Sequence, residues 1–157
     1  MAFAFDAGAD FAHEKESNEP CHNLCDNHLC KIHPDLPAKG YSGCVAFGCF
    51  GAGQHVVQHL FDGQDWRREP AIFAPMMEAF RNMRMIHDLA RMLETAAALN
   101  LPAAPEQQRL DYLQALFPDQ GWDRQSLTCI AVDDIGQQID RFLRSLRDTV
   151  PPPAKPL

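Results

Sequence analysis

The stretch IFAPMMEAFRNMRMIHDLARMLETAAAL, residues 72–99, decides the fold class of this 157-residue chain. Apolar residues recur in it at spacings of three and four, the period of a helix with one apolar face. The apolar stripe consists of Phe73, Met76, Met77, Phe80, Met83, Ile86, Leu89, Ala90 and Leu93. We expect Phe80 and Leu93 to be buried. Arg81 and Arg91 belong to the charged face and should be exposed, and Asn100 should cap the helix C-terminus.

Three further segments carry shorter helical patterns. The run HVVQHLF, residues 55–61, predicts a short helix after a glycine turn. A helix from about Pro105 to Phe117 would direct four apolar side chains inward: Leu110, Leu113, Leu116 and Phe117. A last helix over about Val132–Thr149 would bury a similar set: Ile135, Ile139, Phe142, Leu143 and Leu146. Because no alternating strand pattern exceeds four residues, the sequence predicts an all-α domain, a small helical bundle over residues 55–150.

Length, charge and hydropathy bound the class of protein. The chain is long enough for one domain, which we place at residues 1–150, and the ending PPPAKPL predicts a disordered proline-rich tail at 151–157. A formal net charge of -7 argues against a nucleic-acid surface. No apolar run is long enough for a membrane span, and the N-terminus lacks the basic start of a signal peptide. We therefore expect a cytoplasmic, reducing location.

The segment at residues 21–54 is rich in cysteine and in turn-forming residues. It contains five of the six cysteines: Cys21, Cys25, Cys30, Cys44 and Cys49. Glycines and prolines break it into turns, and it has few bulky apolar residues, so a bound metal would help to order it. Thiolates are ligands of both zinc and iron. The spacing C-x3-C-x4-C-x13-C-x4-C lacks the C-x2-C of a zinc ribbon, so spacing alone leaves disulfides or unconnected buried thiols open.

The histidines are weaker candidates than the cysteines. His33 follows Cys30 closely enough to be a ligand or to donate a hydrogen bond to a thiolate. His55 and His59 lie four apart on one helix face, a geometry that can chelate a metal, but the sequence shows no third ligand in register. The remaining candidates are interpreted as exposed loop or core-boundary residues: His22, His28 and His87.

The residues CHNLCDNHLCKIHPDLPAKGYSGCVAFGCFGAGQHV resemble a pattern in the N-terminal region of certain bacterial pentapeptide-repeat proteins, C-x-N-L…C-x-I-H…G-C-x-x-[FY]-x-C-F-G-A-G-Q. That pattern is similar to a broader cysteine-rich, zinc- or iron-chelating domain family. The resemblance covers about residues 5 to 95 and implies a tetracysteine metal site: Cys21, Cys30, Cys44 and Cys49. Cys25 falls at a variable position and His33 where relatives can carry Tyr, so both are secondary candidates.

Two features depart from the resembled proteins. The chain contains no pentapeptide repeats. Relatives carry a C-x-x-C-x-x-x-C-C segment just before the part that resembles MAFAFDAGADFAHEK, and that segment is missing here. We therefore expect the reading frame upstream of Met1 to encode further cysteines.

Taken together, the patterns predict a metal-binding module that holds zinc, or iron as a labile ion or an iron–sulfur cluster. The sequence has no Ser-His-Asp order, paired-carboxylate motif or dinucleotide fingerprint, so an enzyme is less favoured. The enzymatic alternative is an iron–sulfur component of a redox or modifying enzyme. A third hypothesis is a helical module that binds a protein partner through its bundle and uses the metal only to hold its loop.

Overall fold

The computed structural model describes residues 2–148, and over this range the backbone forms helices and turns. The α-helices are α1 (Ser42–Ala46), α2 (Ala52–His55), α3 (Phe73–Ala96), α4 (Ala103–Leu116), α5 (Arg124–Cys129) and α6 (Val132–Ser145). A π-helical turn, Val56–Leu60, continues α2, and short 3-10 turns occur at His33–Asp35, Pro70–Ile72, Ala97–Leu99 and Leu146–Asp148. The β-type pairing found over the described range consists of two isolated bridges, Phe5–Lys15 and Leu24–Cys30. The all-α prediction is confirmed.

Helix α3 is the central element, since it contacts α2, α4, α5 and α6. Its apolar stripe provides much of the core, and Met83, Ile86 and Leu93 are fully buried. The predicted C-terminal stop is also confirmed, because Asn100 adopts a left-handed conformation with φ 52° after the last turn. None of the helices in residues 2–148 is both long and apolar enough to cross a membrane.

The N-terminal end of α3 differs from the predicted exposure pattern. Leu93 is buried and Arg91 is exposed, as expected, but Phe80 and Arg81 are both half-buried. The N-terminal segment covers this end of the helix: the Phe3 ring lies 5.7 Å from the Phe80 ring. Arg81 donates to the carbonyl of Ala2 and to Asn18 Oδ1 at 3.2 and 2.7 Å. A charged residue on the outer face of the helix is therefore covered by a chain segment far away in sequence.

Helix α4 packs through a face that matches the prediction only in part: Leu113 and Leu116 face inward as expected. Leu110 and Phe117 are 44% and 39% exposed, whereas Arg109 is only 6% exposed. The inward face follows the spacing of Arg109, Leu113 and Leu116, in which the arginine replaces an apolar residue. Its guanidinium is paired with Glu106 at 2.6 Å and also donates to the Leu93 carbonyl at 3.4 Å. Those partners satisfy the buried charge.

Helix α5 was not predicted. It has six residues, too few for a periodic apolar pattern. A capping box starts it: Asp123 Oδ1 accepts from the Ser126 amide at 2.7 Å. Helix α6 follows the prediction over the described range, with Ile139, Phe142 and Leu146 buried. The tail predicted at 151–157 lies outside the described residues, and the single-domain boundary at residue 150 stays a prediction.

The N-terminal segment folds back onto the cysteine-rich segment. Phe5 and Lys15 exchange backbone hydrogen bonds at 3.0 and 2.8 Å. The Gly43 amide donates to the Asp10 carbonyl at 3.0 Å, so the start of α1 is tied to this loop. The Phe11 ring lies directly over Gly43. Together these contacts carry His13 to the side of the first cysteine.

Candidate metal centre

The first three cysteines lie on a compact loop of consecutive turns. The Leu24 amide donates to the Cys21 carbonyl at 2.9 Å, and the Cys25 amide donates to the Leu29 carbonyl at 2.8 Å. The bridge between Leu24 and Cys30 closes the loop. The Asn23 amide also points at Cys21 Sγ, at 3.4 Å. Amide donors of this kind favour the thiolate form of a cysteine, which is the metal-binding form.

His13, Cys21 and His22 form a group of metal-binding side chains. The ligand atoms of these three residues all lie within 4.8 Å of one another. The two imidazole ring centroids are 3.9 Å apart. The hydroxyl of the buried Tyr41 lies 2.9 Å from His13 Nδ1 and 3.4 Å from His22 Nε2, so it can donate to one ring and accept from the other. Tyr41 thereby holds both imidazoles beside the thiol.

Cys30 and Cys44 lie outside this group of three residues. Burial raises the pKa of the Cys44 thiol, and the negative charges of Cys21 and Cys30 raise that pKa further. Charges act over longer distances than those between the ligands of one metal ion, so joint ligation by these three cysteines stays a prediction. A cation among them would replace mutual repulsion by attraction. All six cysteines of the chain are free thiols.

Cys49 has different surroundings. Its thiol donates to Gln54 Oε1 at 3.9 Å, and the residue packs against the helical core. Burial lowers the pKa of the Arg84 guanidinium in α3, and the charge of Cys49 opposes that shift. Joint ligation of one metal by the tetracysteine set taken from the resemblance stays a prediction.

The secondary candidates lie at the edge of this region. Cys25 is half-buried, and its carbonyl accepts from Arg67 Nη1 at 2.8 Å. His33 is exposed within the 3-10 turn that follows Cys30. His28 is directed toward Asp65, with Nε2 at 3.3 Å from Oδ1. These contacts position the backbone of the loop but bring no further ligand atom into the group around Cys21.

Sequence reasoning missed His13. His22 is exposed, as interpreted from the sequence, but its ring also contacts that of His13. Burial lowers the pKa of His13, and the charges of His22 and Lys15 lower it further, which favours the neutral, metal-binding imidazole. The available signal was the run ADFAHEK, which lies inside the stretch covered by the resemblance. His13 lies eight residues before Cys21, outside the cysteine-rich segment, so its contact with that site was not expected.

Comparisons with known proteins add one relative. No protein-family model matches the chain, and no solved structure matches it. The chain is 40% identical over 101 residues to a protein of Bacillus subtilis (strain 168) described as uncharacterized protein YybG. That match covers 64% of this chain and 36% of the relative, so the chain spans about a third of the length of the relative that it matches.

Proposed function

We propose that this protein is a metal-binding module in which zinc or iron organises the cysteine-rich segment at residues 21–54. The observation that carries the proposal is the convergence of His13, Cys21 and His22, and the charges of Cys21 and Cys30 also act on the Cys44 thiol. Thiolate and neutral imidazole are the ligands that zinc and iron share in proteins, whereas magnesium and calcium prefer oxygen. The donor set therefore selects a transition metal.

A closed structural site is the form of binding that these residues support best. Cys21, Cys30 and Cys44 supply three thiolates, and one imidazole completes the usual four ligands of structural zinc. Tyr41 would hold that imidazole in place by hydrogen bonding to the ring nitrogen that faces away from the metal. The resemblance to cysteine-rich chelating domains supports Cys49 as the fourth ligand instead. That second, all-thiolate set is the commonest ligand set of iron–sulfur clusters.

The charge balance of the site also supports a thiolate metal. The Lys15 ammonium interacts with the Cys21 charge and donates to the carbonyls of Glu16 and Glu19 at 2.7 and 3.0 Å. A fixed cation beside the site offsets part of the negative charge that several thiolates bring. Because such thiolates persist where the surroundings are reducing, the proposal also places the protein in the cytoplasm.

Metal analysis of the full chain, purified without oxygen, tests the proposal. We expect about one equivalent of zinc or iron, lost on Cys21→Ser or Cys44→Ser. Cys129→Ser is the matched control, since Cys129 is an exposed cysteine at the end of α5, and it should keep full stoichiometry. The double variant His13→Ala/His22→Ala separates the two ligand sets: it should lower affinity if either imidazole ligates and leave it unchanged if Cys49 does. Full metal content in Cys21→Ser would refute the proposal.

The metal and the fold should also be coupled. Hydrogen exchange with and without a chelator should show that metal removal loosens residues 21–54 first, because this segment has little core of its own. Helix α3 serves as the internal reference, since it supplies the apolar core. Equal loosening of both regions, or of neither, would contradict a role for the metal in organising the cysteine-rich segment.

A further inference from the structure

Three histidines converge on the other side of the cysteine-rich segment, in residues outside the proposed cysteine site. Helix α2 ends at His55, and the π-helical turn carries His59 four residues later. Their ring centroids are 5.2 Å apart. His87, from the middle of α3, places its ring centroid 6.1 Å from that of His55. The sequence showed no third ligand near His55 and His59. The packing of α2 on α3 brings His87 close to His55.

The separation of His55 and His59 is near that of two imidazoles bound to one metal ion, whereas the ligand atoms of all three histidines do not lie within 4.8 Å of one another before a side chain adjusts. With a zinc–nitrogen distance of about 2.0–2.1 Å and tetrahedral geometry, two ligating rings have centroids roughly 5 Å apart. His55 and His59 already have this spacing. His87 and His55 would need to approach by about 1 Å. His59 is exposed and can adjust its rotamer to complete the geometry.

The ring of His87 is held in the form that binds metal. Its Nδ1 lies 2.6 Å from the carbonyl oxygen of Phe50. A carbonyl can only accept, so Nδ1 carries the proton and, in the neutral ring, Nε2 carries a lone pair. That Nε2 atom is buried and has no hydrogen-bond partner. Metal-bound histidines characteristically donate their other ring nitrogen to a carbonyl or carboxylate, as His87 does here.

The carbonyl that orients His87 belongs to a strained turn. Phe50 and Gly51 both have positive φ, 49° and 86°. A bulky residue rarely adopts this conformation, and it persists where the surroundings enforce it, which is common at functional sites. A Cβ at Gly51 would lie 3.8 Å from His87 Cε1, so the turn also lies against the ring. The backbone of this turn fixes both the position and the tautomer of His87.

The remaining neighbours are aromatic and cationic. Phe117 packs edge-on against His87, with ring centroids 5.4 Å apart. Two guanidinium groups stack on the Phe50 ring, those of Arg84 and Arg91, and Arg84 is paired with Asp88. Their charge will weaken the binding of a dication, but the His59 ring is exposed and stays accessible.

We propose that His55, His59 and His87 form a second metal site, for a divalent transition ion of the zinc class. Three imidazoles with one remaining coordination position resemble the ligand number of open zinc sites rather than closed structural ones. Because His59 is exposed, water or a small anionic ligand can reach that position. The site shares no ligand with the group around Cys21.

Cobalt titration of the full chain separates the two sites. Cobalt bound by thiolates gives intense ligand-to-metal charge-transfer absorption, whereas cobalt bound by imidazoles gives only weak visible bands. We expect one equivalent to bind with charge transfer and a second without it. His59→Ala removes an exposed ligand without disturbing the core and should weaken the second equivalent at least tenfold. His28→Ala, at an exposed histidine outside both groups, is the matched control and should bind both equivalents.

Nuclear magnetic resonance of the imidazole nitrogens gives an independent readout with zinc alone. Before zinc is added, His87 should show the tautomer with the proton on Nδ1. On addition of zinc beyond the thiolate site, the signals of His55, His59 and His87 should shift together. The proposal is overturned if these three signals stay unchanged, or if His59→Ala retains the second equivalent at wild-type affinity. If cobalt binds at the histidines but gives no thiolate charge-transfer absorption, the proposed cysteine site is refuted and the histidine site is not.

Discussion

Replacement of Gly43 by Ala tests how the N-terminal segment is attached to the cysteine-rich segment. Gly43 lies in α1, next to Cys44, and the Phe11 ring is packed against it. A Cβ at this position would lie 2.6 and 2.9 Å from Phe11 Cε2 and Cε1, with Cζ also inside van der Waals contact. The Phe11 ring must therefore move away. It would then lose its stacking on Phe5, whose ring centroid is 4.2 Å distant.

The expected cost follows from opposing effects. Overpacking of a close contact costs about 1–3 kcal/mol, and the lost aromatic pair is worth about 0.5–1.5 kcal/mol. Alanine in a helix gains up to about 1 kcal/mol over glycine. We expect Gly43→Ala to lower the free energy of unfolding by about 0.5–3.5 kcal/mol, or the melting temperature by about 1–14 °C for a chain of this length. Gly136→Ala in α6 is the matched control: its Cβ would make ordinary contacts with Leu89 at 3.8 and 3.9 Å.

Thermal and urea unfolding of metal-saturated protein, followed by circular dichroism, would measure both variants under the same ligand linkage. Gly136→Ala should be more stable than the wild type by about 0.5–1 kcal/mol. In a Phe11→Ala background the clash disappears, so Gly43→Ala should cost nothing there. The reasoning is refuted if Gly43→Ala melts at or above the wild type. It is equally refuted if the loss persists without the Phe11 ring.

Two further predictions concern the helices. Leu93→Ala should lower the free energy of unfolding in urea by about 2–5 kcal/mol, because Leu93 is fully buried in α3. Arg91→Ala, on the exposed face, should change it by less than about 1 kcal/mol. Equal losses would mean that the buried face is wrongly assigned. Hydrogen bonds from the Ser126 amide and hydroxyl hold the pKa of Asp123 below its ordinary value of 3.8. A lowered pKa in the folded state contributes stability above the ordinary pKa, and this is lost as pH falls through the lowered one. Asp123→Asn should therefore make the melting temperature fall less steeply below pH 3.8. If the variant and the wild type lose melting temperature equally as the pH falls, this cap does not contribute to the acid sensitivity.

The helices could be predicted from the sequence because their signal is local. Side chains three and four residues apart share a helix face whatever the rest of the chain does. Helix α3 and the range of α6 were accordingly predicted, and the short helices α1 and α5 were missed. Leu113 and Leu116 of α4 face inward as predicted, but Leu110 and Phe117 were assigned wrongly because apolar residues were assumed to be buried. Arg109 is buried instead, because Glu106 and the Leu93 carbonyl pair with its guanidinium.

The candidate sites were predictable only in part, for the same physical reason. A dense group of cysteines within 29 residues is a local feature, and the sequence by itself identified it together with the all-α fold. Pairings between distant residues depend on how whole elements dock, which no local period encodes. Only the tertiary structure brought His13 to Cys21 and placed His87 beside His55. It did so because the N-terminal segment folds back over α1 and because α2 packs on α3.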